Sequence, residues 1–118
     1  MSSQLTTQLI QTGATEWTLK LVGTVDISTQ HLIWNAGANN NLLEKFENTN
    51  VKSLIIDLSQ VERFDSLGLR MLLNVQKDAS EKNIAVVLKN PNLHLNRLFK
   101  IMQFDKFFAI EYDDQGDI

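Results

Sequence analysis

"SLIIDLSQVERFDSLGLRMLL", residues 53–73, joins two patterns of different period through a short polar segment. Residues 53–58 are an apolar run rich in isoleucine and leucine, the composition of a strand buried on both faces. From residue 66 onward Leu69, Leu72, Val75 and Ala79 recur at the 3.6-residue spacing of a helix with one face on a core, with Gly68 and Gln76 at its margins. A strand followed at once by a helix is the unit from which parallel sheets are built. Between the two stand Asp65, Ser66 and Gly68, residue types that core packing does not call for at this point.

The plainest role of Asp65 or Ser66 is to cap the orphan amides of the first helical turn. The helical wheel also sets Ser66 on the solvent side, with Arg70 one turn on and Lys77 and Glu81 beyond. Leu67 projects among Arg70, Asn74 and Asp78, so it reads as a contact residue beside an exposed serine. Gly68 removes a side chain next to Ser66, leaving room for another protein's backbone. A helix N-terminus offers free N–H groups and a positive dipole end. A phosphate on Ser66 would be supported there, and by Arg70.

Outward from this unit the same alternation continues. "IAVVL", 84–88, is a second buried-strand run, and a short strand is expected near 108–112. "EWTLKLVG", 16–23, alternates Trp17, Leu19 and Leu21 against Thr18 and Lys20, and pairs with a weaker strand at 4–11 across Gly13 to predict a hairpin. Helical patterns cover 28–48, 66–82 and 92–102. The first carries Leu32, Ala36, Leu43 and Phe46 on one face, with Asn39 among them and Trp34 opposite. The third follows an Asn90-Pro91 start signal and carries Leu95, Leu98, Phe99 and Met102. The expected architecture is α/β: a mixed sheet of about five strands, an N-terminal hairpin followed by parallel βα units, with three or more helices. Residues 1–118 read as a single domain, with the first few residues and 113–118 frayed.

Composition excludes several classes. A net charge of −3 over 118 residues does not suit nucleic-acid binding, which needs a clustered basic surface. The absence of cysteine removes disulfides, thiolate nucleophiles and cysteine metal sites. No apolar run reaches the roughly 18 residues of a membrane span, so no direct membrane insertion is expected, and the N-terminus shows no secretory pattern, which makes the cytoplasm the expected location. His31 and His94 have no ligand partner at metal spacing and are expected at the surface. No histidine neighbours Ser66 in sequence as a base. No Gly-rich phosphate loop occurs. Asp57 ends a strand as a receiver domain's phosphoacceptor would, but "LKLVGTVD" supplies Asp26 alone where the Mg²⁺ of that chemistry needs an acidic pair. The chain is expected to have no catalytic residues, no metal and no cofactor of its own.

The opening stretch resembles the signature of the STAS domains, the family named for sulfate transporters and anti-sigma factor antagonists. "KLVGTVDISTQ" looks like the family's Gly-x-x-Asp strand end before its first helix, and "NPNLHLNRLFKIMQFDKFF" like its Asn-Pro turn and third helix. The likeness spans roughly residues 16–110. It implies that Ser66 is the phosphoacceptor, that Asp65 precedes it in the family's manner, and that Asp26 lies close by. It implies partner switching in bacterial signalling and transcription regulation. The unphosphorylated domain binds an anti-sigma factor with an ATPase-like fold that is also a serine kinase; phosphorylation ends the binding and a serine phosphatase restores it. ATP then belongs to the kinase. Leu67 stands where relatives often carry Ser or Thr, so the partner-facing surface, formed with Asp26, Asp65, Gly68, Arg70 and Trp34, differs. Trp34, off the core stripe of its helix, is a candidate for contact with that partner, for a homodimer, or for folding back against the end of the third strand. The alternative within the resemblance is a constitutive interaction module, such as a soluble subunit of a membrane transport complex, never phosphorylated.

Overall fold

Glycine and strand alternation set the first feature of the fold, a hairpin of β1 (Leu5–Gln11) and β2 (Glu16–Val25). The computed structural model describes residues 4–26, 28–34, 43, 46 and 49–113. After the hairpin come α1 (Gln30–Trp34), β3 (Ser53–Phe64), α2 (Ser66–Glu81), β4 (Ala85–Lys89), α3 (Leu93–Ile101), a 3-10 turn (Phe104–Lys106) and β5 (Ala109–Glu111). The strands form one sheet in the order β1-β2-β3-β4-β5. β1 runs antiparallel to β2, and β2 through β5 are parallel. This is the mixed five-stranded sheet the sequence predicts.

Every parallel step moves the same way across the sheet, so right-handed crossovers put the helices on the same face. Burial follows. Leu19, Leu21, Leu54, Ile56, Leu58, Val86 and Leu88 point inward and are buried. Leu69, Leu72, Val75 and Ala79 of α2 meet them, joined by Gly68 and Met71. Leu43 and Phe46 are buried as the helical spacing requires, and the Phe46 ring lies 5.7 Å from that of Trp17. Phe99 of α3 stacks on Phe104 at 5.2 Å.

Several expectations are corrected. The runs at 53–58 and 84–88 are not buried on both faces. Among the described residues Ile55 is the one buried apolar side chain outside the common core, and Ala85 is exposed. β3 continues to Phe64 because its second half stays paired to β2 through two register shifts. In α3, Leu95 and Phe99 are buried, but Leu98 is half-buried and Met102 exposed, since Met102 is already the C-cap. In α1 the buried residue is Ile33, with Leu32 half-buried against the core. Ala36 and Asn39 lie outside the described residues, as does the side chain of Trp34. Asp113 is held rather than frayed: Asn90 donates to it and accepts from its N–H, and Lys89 pairs with it at 3.4 Å. Residues 114–118 are outside the described range.

Gly23 is where β2 can only be glycine. Its φ is +118°, and an added Cβ would stand 2.3 Å from the Gln4 carbonyl oxygen, a backbone atom that cannot swing aside. Gly23→Ala is expected to lower folding stability by about 1–3 kcal/mol. Urea unfolding checks it, and a midpoint equal to that of the wild type would show that β1 adapts freely.

Candidate functional site

The C-terminal end of β2 and the start of α2 meet at one end of the sheet, where its inner strands stop. The Asp65 N–H donates to the Val25 carbonyl at 3.1 Å. One turn on, Gly68 is buried against the same place: a Cβ there would stand 2.7 Å from Phe64 Cδ1, 3.0 Å from Val25 Cγ1 and 3.1 Å from the Val25 oxygen. Gly68 therefore serves the chain's own packing. The space it leaves is filled by Phe64 and Val25, not by a partner's backbone, which corrects the sequence reading.

Capping and exposure are divided between neighbours. Asp65 is the N-cap of α2, its Oδ1 accepting from the Gly68 N–H at 2.8 Å. Ser66, the first helical residue, is exposed, and its hydroxyl has no hydrogen-bond partner among the described residues. The sequence left open which of the two is the cap; the structure assigns it to Asp65 and leaves the Ser66 Oγ to solvent. Arg70 is exposed on the same helix and makes no ion pair among the described residues. Leu67 is half-buried, deeper than the wheel placed it.

Asp26 follows directly from Val25, so the Asp65–Val25 hydrogen bond draws the two aspartates together. Both line a cleft of about 590 Å³ with Thr24, Val25, Glu62, Arg63, Phe64 and His94. Asp26 also builds the turn into α1: its Oδ1 accepts from the Ser28 N–H at 2.9 Å and the Ser28 hydroxyl at 2.6 Å. Its own N–H donates to Thr29 Oγ1 at 3.0 Å, and that hydroxyl donates to the Thr24 carbonyl at 2.8 Å. Thr29 is the buried polar side chain that pins the turn.

Three cleft residues escaped the sequence reading. Glu62 and Arg63 lie on the extension of β3, where the apolar pattern had already ended. His94 is exposed, as expected, but the Asn90–Asn92 turn brings it over the cleft: the Asn92 amide caps α3 through Leu95 N at 2.8 Å and donates to the Val61 carbonyl at 3.1 Å. Asn-Pro was the visible sign of that turn, not of its contact with β3. The cleft carries the carboxylates of Asp26, Glu62 and Asp65 against one guanidinium, Arg63. No cluster of metal-ligating side chains occurs among the described residues. Nor is any described helix long and apolar enough to cross a membrane. Of the serines on β3, Ser59 is exposed and Ser53 half-buried.

A family model described as "Mlab, STAS domain" matches residues 9–111. The fold is similar to that of the anti-sigma factor antagonist SpoIIAA in its unphosphorylated form, with a TM-score of 0.73 at 14% identity, over 93% of this chain and 90% of that one. The phosphorylated form of SpoIIAA from Bacillus gives 0.69 at 14% identity, over 93% and 94%. An anti-sigma factor antagonist from Mycobacterium paratuberculosis gives 0.68 at 23% identity, over 92% and 86%.

The division of labour at the helix start has a direct test. Asp65→Ala is expected to cost about 0.5–2 kcal/mol, the usual value of an N-cap, and Ser66→Ala less than about 0.5 kcal/mol, as for a surface change. Thermal unfolding of the two variants distinguishes them, and a larger loss at Ser66 would show that its hydroxyl, too, holds the turn.

Proposed function

The chain belongs to the STAS domain family, and from that membership we propose that it is a partner-switching regulator whose switch is phosphorylation of Ser66. The observation that carries this reading is the exposed, unbonded Ser66 hydroxyl on the first turn of α2, beside an aspartate that already does the capping. A kinase can take this hydroxyl without dismantling the helix start.

The physics of the switch follows. A phosphate adds about −1.5 to −2 charge in water at the N-terminus of α2, where the helix dipole tolerates it. The domain stays folded. SpoIIAA, with the same fold, has been solved in unphosphorylated and phosphorylated forms, which supports that expectation. The new charge joins Asp65, and Asp26 and Glu62 share the adjoining cleft. A partner docked over this acidic edge meets repulsion and a larger polar group to desolvate. The partner proposed is an anti-sigma factor that is also a serine kinase and brings its own ATP; a serine phosphatase resets the switch. In this reading the domain binds and is modified, and performs no chemistry itself.

A second reading is favoured by one finding: the matching family model is described as "Mlab, STAS domain" rather than as an antagonist. There the same edge docks constitutively, as a soluble subunit of a membrane transport complex, and Ser66 is never modified.

Intact-mass and peptide mapping after incubation with ATP and an anti-sigma-type serine kinase separate the two. One phosphate is expected, on Ser66, and none on Ser66→Ala. Modification at the exposed Ser59 with Ser66 untouched would end the switch reading. Ser66→Asp, and more strongly the phosphorylated protein, are expected to bind the kinase at least about tenfold more weakly at nearly unchanged melting temperature.

Leu67 supplies a separate test. Half-buried beside the acceptor, it is expected to lose less than about 1.5 kcal/mol of stability on truncation, below the 2–5 kcal/mol of a core leucine, while kinase affinity falls at least about tenfold. A core-sized loss of stability in Leu67→Ala would remove it from the interface; Trp34→Ala is judged by the same comparison.

A further inference from the structure

Among the described residues the parallel sheet has helices on one face only. Parallel strands occur almost always with both faces covered, so the other face of this sheet is an anomaly. Its residues follow from the register. One row across the strands reads Ile10, Thr18, Ile55, Val87, Ala109. Ile55 is 9% exposed but takes no part in the core cluster, and Val87 is half-buried. At one end of the row Ile10 is 40% exposed; near the other, Phe107 is 53% exposed in a pocket that it shares with Gln76 and Ser80 of α2 as well as Ala85, Val87 and Ala109.

The neighbouring row reads Lys20, Asp57, Lys89, Glu111, one residue from each of β2 to β5. Its charges alternate plus, minus, plus, minus. They are not joined to one another by ion pairs among the described residues: Asp57 accepts from the Ser59 N–H at 2.9 Å, and Lys89 turns to Asp113 at 3.4 Å. Such a row is complementary to its own reverse. A two-fold axis parallel to the strands, between β3 and β4, lays Lys20 over Glu111 of a second copy and Asp57 over its Lys89. The same axis sets Ile55 over Val87 and swings the β5 edge over the β1–β2 edge that bears Ile10. A two-fold along the row itself would put Lys20 on Lys20 and Asp57 on Asp57. The charges thus choose one arrangement, an isologous face-to-face pair of the kind commonest among homo-oligomers, with the sheets aligned as in a sandwich.

We propose that this bare sheet face is a homodimer interface, in which the Lys20–Asp57–Lys89–Glu111 row of one copy pairs with the reversed row of the other. The surface is separate from Ser66, so the dimer does not depend on phosphorylation.

Lys20 and Glu111 provide the decisive test, because they lie three strand spacings apart in one chain, about 14 Å, too far to pair within it. Sedimentation equilibrium of the full chain from about 10 to about 500 µM is expected to show a reversible dimer, and Lys20→Glu and Glu111→Lys each to weaken it at least about tenfold. The double variant is expected to return to within about threefold of the wild type. Melting curves of all three verify that they fold. A wild type that remains monomeric throughout overturns the proposal, as does a double variant no better than the singles. A wild type that stays monomeric, and whose Lys20→Glu variant instead loses binding to a different protein, assigns the face to that protein and equally overturns it.

Discussion

The contact of Gly68 with Val25 and Phe64 is the constraint on which the rest of the site depends. It lets the first turn of α2 lie against the ends of β2 and β3 with no side chain between. Only at that distance does the Asp65 N–H reach the Val25 carbonyl at 3.1 Å. That bond in turn fixes where Asp26, the next residue of β2's exit, stands relative to Asp65. A helix displaced by one methyl group would still bury Leu69, Leu72 and Val75. It would not hold two turns from distant parts of the chain around one cleft.

Asp65 and Ser66 show how a helix start can be structural and available at once. The orphan amides of the first turn need an acceptor. Asp65 supplies it to Gly68, so Ser66 is released from the duty its residue type most often performs. The same logic operates at Asp26, where Ser28 and Thr29 occupy the carboxylate and backbone of the turn into α1. The acidic character of the edge is therefore a by-product of capping. Both aspartates are held by local hydrogen bonds, and their charge is what a phosphate on Ser66 would meet.

What the sequence made legible was whatever has a period. The element order, the hairpin, the α2 core face and the buried Leu43 and Phe46 all follow from spacing, and the structure repeats them. Gly68 was misread because helical-wheel reasoning knows only its own helix. The wheel placed it at the margin of the core face, whereas the third body at that margin, β2, arrives from more than forty residues upstream. His94 was missed for a related reason: its place over the cleft comes from the Asn92 amide reaching the Val61 carbonyl, a contact with no local trace. Met102 failed at a boundary, since the last helical residue is Ile101 and the stripe does not survive the cap.

The misreading of the strands is the most informative. A run such as "SLIIDL" is apolar at consecutive positions, which suits two covered faces, yet only Leu54, Ile56 and Leu58 reach the core. Strand order explains this without appeal to composition. Four parallel strands in sequential order never reverse direction, so right-handed crossovers cannot deliver a helix to the second face. Ile55 then stands outside the core cluster, between Thr18 and Val87 in its row. The next row, Lys20 to Glu111, is charged throughout, which keeps the open face soluble in a single copy. An apolar row flanked by a charged one is what a face exposed in one state and covered in another requires. The strand composition written for two-sided burial and the topology that covers one side are reconciled if the second cover comes from outside the chain.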